Sequence, residues 1–214
     1  MTAGIIIIVC GALVSALLVA DHRGDKQLKW LFKPAASVAF IVLAFHGGAL
    51  GTDYGRWILA GLTLCLAGDV FLIARAQTAF LAGMGAFALG HLAYIGAFAV
   101  IGAPLSLTTG FVLFAIGAPV LLILRWLWPH LGAFRYPVAV YCIIISVMVV
   151  ASFATQNPDG DGPFWLAVVG AISFAISDIS VARDQFVKQE FFNRLWGLPL
   201  YYAAQLLLAA SVSL

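Results

Sequence analysis

Two aspartates lie inside apolar stretches of this sequence, where a buried carboxyl group can exchange protons or bind ions. Asp69 lies in LAGDVFL at 66–72, and Asp178 lies in AISDISVAR at 175–183. An acidic side chain in lipid costs at least about 2.5–3.5 kcal/mol, so both side chains should face the interior of a helix bundle. They are candidate functional residues. The alternative is that each carboxyl only hydrogen-bonds a neighbouring helix and fixes its packing.

The two aspartates also lie at similar distances from a following basic residue. Arg75 comes six residues after Asp69, and Arg183 comes five residues after Asp178. Because an α-helix rises about 1.5 Å per residue, both carboxyls should lie roughly 8–9 Å inside the ends of their helices. We expect them to share a depth in the bundle and to face one cavity.

Five more polar side chains occur within apolar stretches and could converge on the aspartates. His91 and Tyr94 are one helical turn apart, as are Tyr202 and Gln205, and Tyr201 lies four residues before Gln205. Each has an ordinary alternative, because tyrosines are common at membrane interfaces and an isolated histidine often only packs and hydrogen-bonds. We expect these five side chains to converge on one site with the aspartates.

Lys33 is a further candidate site residue, and a metal site has to be considered as well. Lys33 is fixed by the following Pro34, so its ammonium could reach the same cavity or extend to the membrane interface. Catalytic zinc takes three protein ligands, usually rich in histidine, and only His91 is deep enough. Asp69, Asp178 and His91 could still form a metal site, but we expect no metal and no cofactor. The sequence has no GxSxG motif, so it does not indicate an acyl-transfer triad.

The composition indicates the environment in which these side chains are positioned. Hydrophobic residues make up 64% of the 214-residue chain and charged residues 9%, whereas a soluble domain carries about a quarter charged residues. We therefore expect the chain to lie in a lipid bilayer, and its net charge of +2 does not indicate nucleic-acid binding. No positive residue precedes the apolar stretch 4–20, so we interpret it as a retained first span rather than a signal peptide.

Eight apolar stretches are long enough to cross a membrane as helices, since a span needs roughly 20 mostly apolar residues. The connections are short, which predicts an all-α, polytopic membrane protein with a single transmembrane domain over 1–214. Turn sequences separate the stretches, as at Pro104 and at 156–163. The predicted spans are approximately 4–20, 30–46, 56–74, 79–101, 107–127, 134–154, 163–183 and 193–213.

The basic residues predict how the spans are oriented. The even connections hold Arg56 alone, and the odd connections and their helix ends hold the other ten basic residues. The positive-inside rule then places the odd connections in the cytoplasm and both termini on the non-cytoplasmic side of the inner membrane. The ten residues are Arg23, Lys26, Lys29, Lys33, Arg75, Arg125, Arg135, Arg183, Lys188 and Arg194.

The two aspartate segments resemble each other, which suggests an internal repeat. LAGDVFLIAR at 66–75 is similar to AISDISVAR at 175–183, and weaker similarities occur before and after them. Four spans preserve chain direction, so a four-plus-four arrangement would consist of parallel repeats. Chance similarity between apolar helices is the alternative explanation.

Several short motifs occur in order along nearly the whole chain. They are KP at 33–34, GD at 68–69, Phe80, Gly83, HLAY at 91–94, SD at 177–178 and YYAAQ at 201–205. Each motif is nonspecific, but the ordered set resembles the YhhN-type lysoplasmalogenase family. The resemblance identifies Asp69 and Asp178 as the two family aspartates. Pro199 in WGLPLYY departs from the pattern and affects the local geometry expected for the tyrosines that follow.

The resemblance implies an ether hydrolase that cleaves the vinyl ether bond of lysoplasmalogens and releases a fatty aldehyde. Two carboxyls suit that chemistry, because one can donate a proton as general acid while the other is ionised and acts as base. The site would open toward the cytoplasmic leaflet and take a lysophospholipid from the membrane, with Lys33, Arg75 or Arg194 holding its phosphate. No nucleic acid or protein partner is indicated. The implied substrate-binding residues are Lys33, His91, Tyr94, Tyr201, Tyr202, Gln205 and Arg194.

Two other classes of protein fit the residues. A small proton-coupled transporter would also use paired intramembrane aspartates and a parallel repeat. It would be expected to have helix breaks at matching positions, and only Pro119 and Pro199 suggest any. A purely structural membrane protein is the third possibility.

Overall fold

Eight α-helices make up most of the computed structural model, which describes residues 2–74, 76–102, 107–155 and 164–213, without the side chains of 107–109. No β-strand occurs in these ranges. Each helix begins and ends within four residues of a predicted span. Arg75 and the predicted turns at Pro104 and 156–163 lie outside the described residues. The helices are α1 (Ala3–His22), α2 (Lys26–His46), α3 (Asp53–Phe71), α4 (Gln77–Val100), α5 (Leu107–Leu127), α6 (Arg135–Phe153), α7 (Trp165–Ala182) and α8 (Phe191–Ala210).

In the described part of the chain, seven of the eight helices are long and apolar enough to cross a membrane. The exception is α3, which carries Asp53, Arg56 and Asp69 within 19 residues. Large apolar side chains face outward, including Phe111 and Phe114 on α5, each 78% exposed. This outer surface would be unfavourable in water and is suited to lipid. The predicted fold class, an all-α polytopic membrane protein, is confirmed.

Two helices begin after tight turns with a side-chain cap. The Asp25 side chain accepts hydrogen bonds from the backbone N–H groups of Gln27 and Leu28 at the start of α2. The Thr52 side chain accepts from Gly55 N–H at the start of α3. These side chains satisfy donors that a helix start leaves without partners.

The odd connections lie together at one end of the bundle. Described residues of these connections, or of the helix ends beside them, line one cavity: Gly24, Ile73, Leu127 and Lys188. We call this end the basic end.

Helix α8 is central: it packs against α1, α2, α3 and α7, whereas α5 is peripheral and packs mainly on α6. Small residues allow the close approaches. A Cβ atom at Gly61 of α3 would lie 2.4 Å from the Tyr94 ring of α4, and one at Gly197 of α8 would lie 1.8 Å from Ser180 Oγ of α7. Glycine at a helix–helix contact is a common way for membrane helices to pack closely. The predicted internal repeat and membrane orientation stay predictions.

Candidate active site

A cavity of about 1110 Å³ extends into the bundle from the basic end, and both Asp69 and Asp178 line it. Among the residues that the structure describes, all eight helices contribute to the lining, α1 through Asp21 alone, and so do residues between α1 and α2, between α3 and α4 and between α7 and α8. Lysines and acidic side chains surround the mouth, and apolar side chains of α5, α6 and α7 line the deeper part. The cavity is therefore amphipathic along its length, with the two aspartates in the wall between the charged mouth and the apolar depth.

Asp69 is held by three donors from two other helices. Its Oδ2 accepts hydrogen bonds from Ser37 Oγ and Tyr201 Oη, both at 2.7 Å. Its Oδ1 lies 3.2 Å from Lys33 Nζ, which also donates to the Asp69 backbone carbonyl at 3.0 Å. The side chain of Asp69 is 2% exposed. The ammonium group and the two hydroxyl donors each stabilise negative charge on a carboxylate.

Asp178 has a different environment, with one donor and a histidine nitrogen nearby. Tyr141 Oη donates to Asp178 Oδ2 at 2.6 Å, and His91 Nε2 lies 3.9 Å from the same oxygen. His91 Nδ1 lies 2.6 Å from the Phe87 carbonyl oxygen, which only accepts, so Nδ1 carries the hydrogen. In a neutral ring Nε2 then carries a lone pair, and it has no hydrogen-bond partner among the described residues. A proton on Asp178 or on His91 would reduce the repulsion between these two atoms, which lie 3.9 Å apart.

An aromatic wall connects the two carboxyl sites. The ring centroids of Tyr201 and Phe174 are 5.3 Å apart, and those of Phe174 and His91 are 4.4 Å apart. Phe87 packs edge-on against both Phe174 and Tyr201, and Phe87 and Tyr201 line the cavity. Ring faces attract cations, so this wall could stabilise positive charge that develops between the aspartates.

Ion pairs surround the mouth of the cavity and engage Arg194. Its guanidinium pairs with Asp21 at the end of α1 and, through Nη1 at 2.6 Å, with Asp184 after α7. Lys29 pairs with Asp21 from the other side. Arg194 lines the cavity, but two carboxylates already share its charge. Lys26 also lines the mouth and has an exposed side chain.

The segment between α7 and α8 is ordered by a second group of ion pairs. A π-helical turn, Arg183–Val187, follows α7. Glu190 lies 2.5 Å from Arg183 Nη2 and 2.7 Å from Lys188 Nζ. Lys188 and Arg183 hold the pKa of the Glu190 carboxyl below its ordinary value by hydrogen bonding. π-helical turns are frequent at functional sites, and this one borders the mouth.

Four predicted substrate-binding residues lie behind the cavity wall. His91, Tyr94, Tyr202 and Gln205 are buried and are not among the lining residues. Tyr94 Oη donates to Gln205 Oε1 at 2.7 Å, which joins α4 to α8. Tyr202 Oη donates to the Lys33 carbonyl at 3.1 Å. Their direct contact with substrate stays a prediction, and the Tyr202 hydrogen bond joins α8 to the helix that carries Lys33.

Ser37 and Tyr141 were not among the residues predicted for the site. Ser37 lies one helical turn after Lys33, so its spacing could have indicated a shared face. Tyr141 is a polar residue within the apolar stretch of α6, and that was the available signal. Across the described ranges, no group of three or more His, Cys, Asp or Glu side chains is placed to hold a metal ion.

Comparisons with known proteins give consistent matches along most of the chain. A family model described as the YhhN family matches residues 28–212. Lysoplasmalogenase TMEM86A of Bos taurus is 35% identical over 186 residues, covering 85% of this chain and 72% of that protein. A lysoplasmalogenase of Mycobacterium tuberculosis is 34% identical over 199 residues, covering 89% of this chain and 72% of that protein. An Escherichia coli protein named uncharacterized membrane protein YhhN is 28% identical over 201 residues, covering 91% and 92%. No solved structure matches the chain significantly.

Proposed function

The chain belongs to the YhhN family, and from that premise we propose that it is a membrane-embedded lysoplasmalogenase. It hydrolyses the vinyl ether bond of lysoplasmalogens to a fatty aldehyde and a glycerophospho-alcohol. Relatives named lysoplasmalogenase at 34–35% identity support the reaction. The observation that carries the proposal is one amphipathic cavity lined by two carboxyls in different environments. A lysophospholipid has one chain and a charged head group, which matches the apolar depth and the charged mouth.

Asp178 is the general acid in this proposal. A vinyl ether reacts when its β-carbon takes a proton. We assign that proton to Asp178, whose Oδ2 lies 3.9 Å from His91 Nε2, an atom without a hydrogen-bond partner in the described portion of the chain. The double-bond electrons form the new C–H bond, and the ether oxygen shares the resulting positive charge as an oxocarbenium ion. Phe87 and Tyr201 line the same cavity, and an aromatic ring whose face turns toward that cation would stabilise it.

Asp69 is the general base and the counter-charge. Water attacks the carbon next to the ether oxygen, and its proton passes to the Asp69 carboxylate. The hydroxyl group of the resulting hemiacetal gives its proton to water and becomes the aldehyde oxygen, while the bond to the glycerol oxygen breaks and that oxygen takes a proton from water and leaves as a hydroxyl group. Lys33, Ser37 and Tyr201 support this role, because together they stabilise the ionised carboxylate. Asp178 and Asp69 exchange protons with water to return to their starting states.

Lys26, whose exposed side chain lines the mouth, holds the phosphate in this proposal. The other candidate cations that the structure describes are already paired with carboxylates: Lys29 with Asp21, Lys33 with Asp69, and Arg194 with Asp21 and Asp184. We place the mouth at the cytoplasmic leaflet of the inner membrane and both termini on the other side. The ten-to-one distribution of basic residues supports this orientation.

Solvent labelling tests the reaction. Purified protein is incubated with a lysoplasmalogen in D₂O, and the aldehyde is reduced at once and analysed by mass spectrometry. We expect one deuterium on the carbon next to the aldehyde carbon, because the β-carbon takes its proton from an exchangeable group. The same protein with Asp178→Asn, at equal amounts of folded protein, is the control. Aldehyde without deuterium, or no aldehyde above that control, would contradict the proposal.

A further inference from the structure

The deep part of the cavity ends at a small group of aliphatic side chains from three helices. Ile116 of α5, Val149 of α6 and Ile172 of α7 are the lining residues farthest along their helices from the basic end. Val149 is 2% exposed, and none of the cavity's described lining residues on α6 lies farther from the basic end. We call these three residues the floor.

The distance from the aspartates to the floor follows from the helices that line the cavity. Val149 comes eight residues after Tyr141, whose hydroxyl contacts Asp178, and Ile172 comes six residues before Asp178. At 1.5 Å per residue, the apolar depth is roughly 9–12 Å. An extended chain advances about 3.6 Å over three bonds, so this depth takes roughly eight to ten bonds.

We infer that the floor contacts the alkyl tail of the substrate and sets the upper limit on the chain length that the cavity accepts. This inference rests on the proposed function, since it assumes a lipid with its reacting bond near Asp178. The wall around the path is apolar and offers a long chain no polar partner. A chain longer than the straight depth must fold within the cavity or leave through its side. Ile176 of α7 lines the cavity and is 44% exposed, which marks that side.

Larger side chains at the floor shorten the apolar part of the cavity and leave Asp69 and Asp178 unchanged. In Val149→Phe, the larger side chain adds roughly four carbons of volume at the end of the tail path. Ile172→Phe does the same from α7. The matched control is Val147→Phe, on the same helix as Val149 but 46% exposed on the outer surface. All three variants add an aromatic ring to a membrane helix, and only two of them add it at the floor.

The test measures the binding of alkyl ether lysophospholipids, which lack the double bond that would be protonated. Chains of about four carbons, which end well short of the floor, and of about ten carbons, which reach it, are compared by equilibrium binding in mixed micelles. One misplaced methylene in an apolar pocket is worth about 1–3 kcal/mol, or about 10–200-fold. We expect Val149→Phe to weaken binding of the long chain at least about tenfold and to leave binding of the short chain within about twofold. Val147→Phe should leave both unchanged.

Retained binding of the short chain shows that a variant is folded. Loss of long-chain binding alone therefore supports the inference that the floor limits chain length. An unchanged ratio of long-chain to short-chain affinity in both Val149→Phe and Ile172→Phe would overturn it, because the tail would then leave through the side. Loss of both chains in equal proportion would also overturn it. The analogues are not hydrolysed, so a failure of the proposed reaction appears separately, as absence of aldehyde from a vinyl ether substrate.

Discussion

Replacing Asp69 with asparagine removes one negative charge and leaves nearly the same volume. The charge is buried, since the Asp69 side chain is 2% exposed and that of its partner Lys33 is 12% exposed. Breaking one partner of a buried ion pair typically costs about 3–5 kcal/mol, because the other charge is left without compensation. We therefore expect Asp69→Asn to lower thermal stability clearly. We also expect it to reduce aldehyde release by about 10²–10⁴-fold, the usual contribution of one acid or base.

The double variant Asp69→Asn, Lys33→Gln separates the two effects. It removes both charges, so most of the stability lost in Asp69→Asn should return, while the general base is still absent. Activity should stay as low as in the single variant. Asp53→Asn on the same helix is the matched control, because its pair with Arg56 is exposed and such pairs contribute little.

The assay combines aldehyde release per folded protein with a thermal unfolding midpoint in the same detergent. The assigned role predicts that stability recovers in the double variant and that turnover does not. If turnover returned together with stability, Asp69 would be a packing residue and the proposed base would be wrong. If Asp69→Asn lost activity only in proportion to folded protein, the same conclusion would follow.

Two further predictions test other parts of the site and fold. Tyr141→Phe removes the hydroxyl that donates to Asp178 and keeps the ring against His91. Asp178 becomes charged as it gives up its proton, and a hydrogen bond to a charged group is worth about 1.5–3 kcal/mol, so kcat should fall about 10–100-fold with KM nearly unchanged. An unaltered kcat would contradict this role of Tyr141. Gly197→Ala places a Cβ 2.6 Å from Ser180 Cβ, so the unfolding midpoint should fall by the equivalent of about 1–3 kcal/mol. Adding Ser180→Gly should recover part of that loss, and no recovery would mean that another contact is responsible.

The helices could be predicted closely because the bilayer imposes one strong rule on a spanning sequence. About 20 apolar residues are needed for each span, and the chain repeats that length eight times with short turns between. The predicted limits are less accurate at helix ends that carry charged or polar residues. Helix α3 ends at Phe71, three residues before its predicted limit, so Asp69 lies two residues from the helix end. Asp178 lies four residues before the end of α7, and a π-helical turn follows.

The partners of the aspartates could not be predicted, because they depend on which helices are neighbours. The cost of a carboxyl in lipid indicates that Asp69 and Asp178 face inward, but it does not say which helix supplies a donor. Ser37 of α2 and Tyr141 of α6 have the same spacing signals as many polar residues in apolar helices. Gln205 illustrates the opposite case: it shares a helix face with a cavity residue, Tyr201, and instead bonds to α4.

The depth of the aspartates fits the position of the bond that the proposed reaction breaks. In a lysoplasmalogen the vinyl ether lies next to glycerol, just below the phosphate, so a site for it must lie slightly inside a charged surface. Lys26 and Lys29 line the mouth, Asp69 and Asp178 come next, and the apolar floor lies beyond. A carboxyl nearer the mouth would be solvated and would lose its proton to water, and one at the floor would meet only alkyl chain. Polarity falls from the charged mouth to the apolar floor. A carboxyl at an intermediate depth can therefore keep its proton and still lie at the level of the reacting carbon.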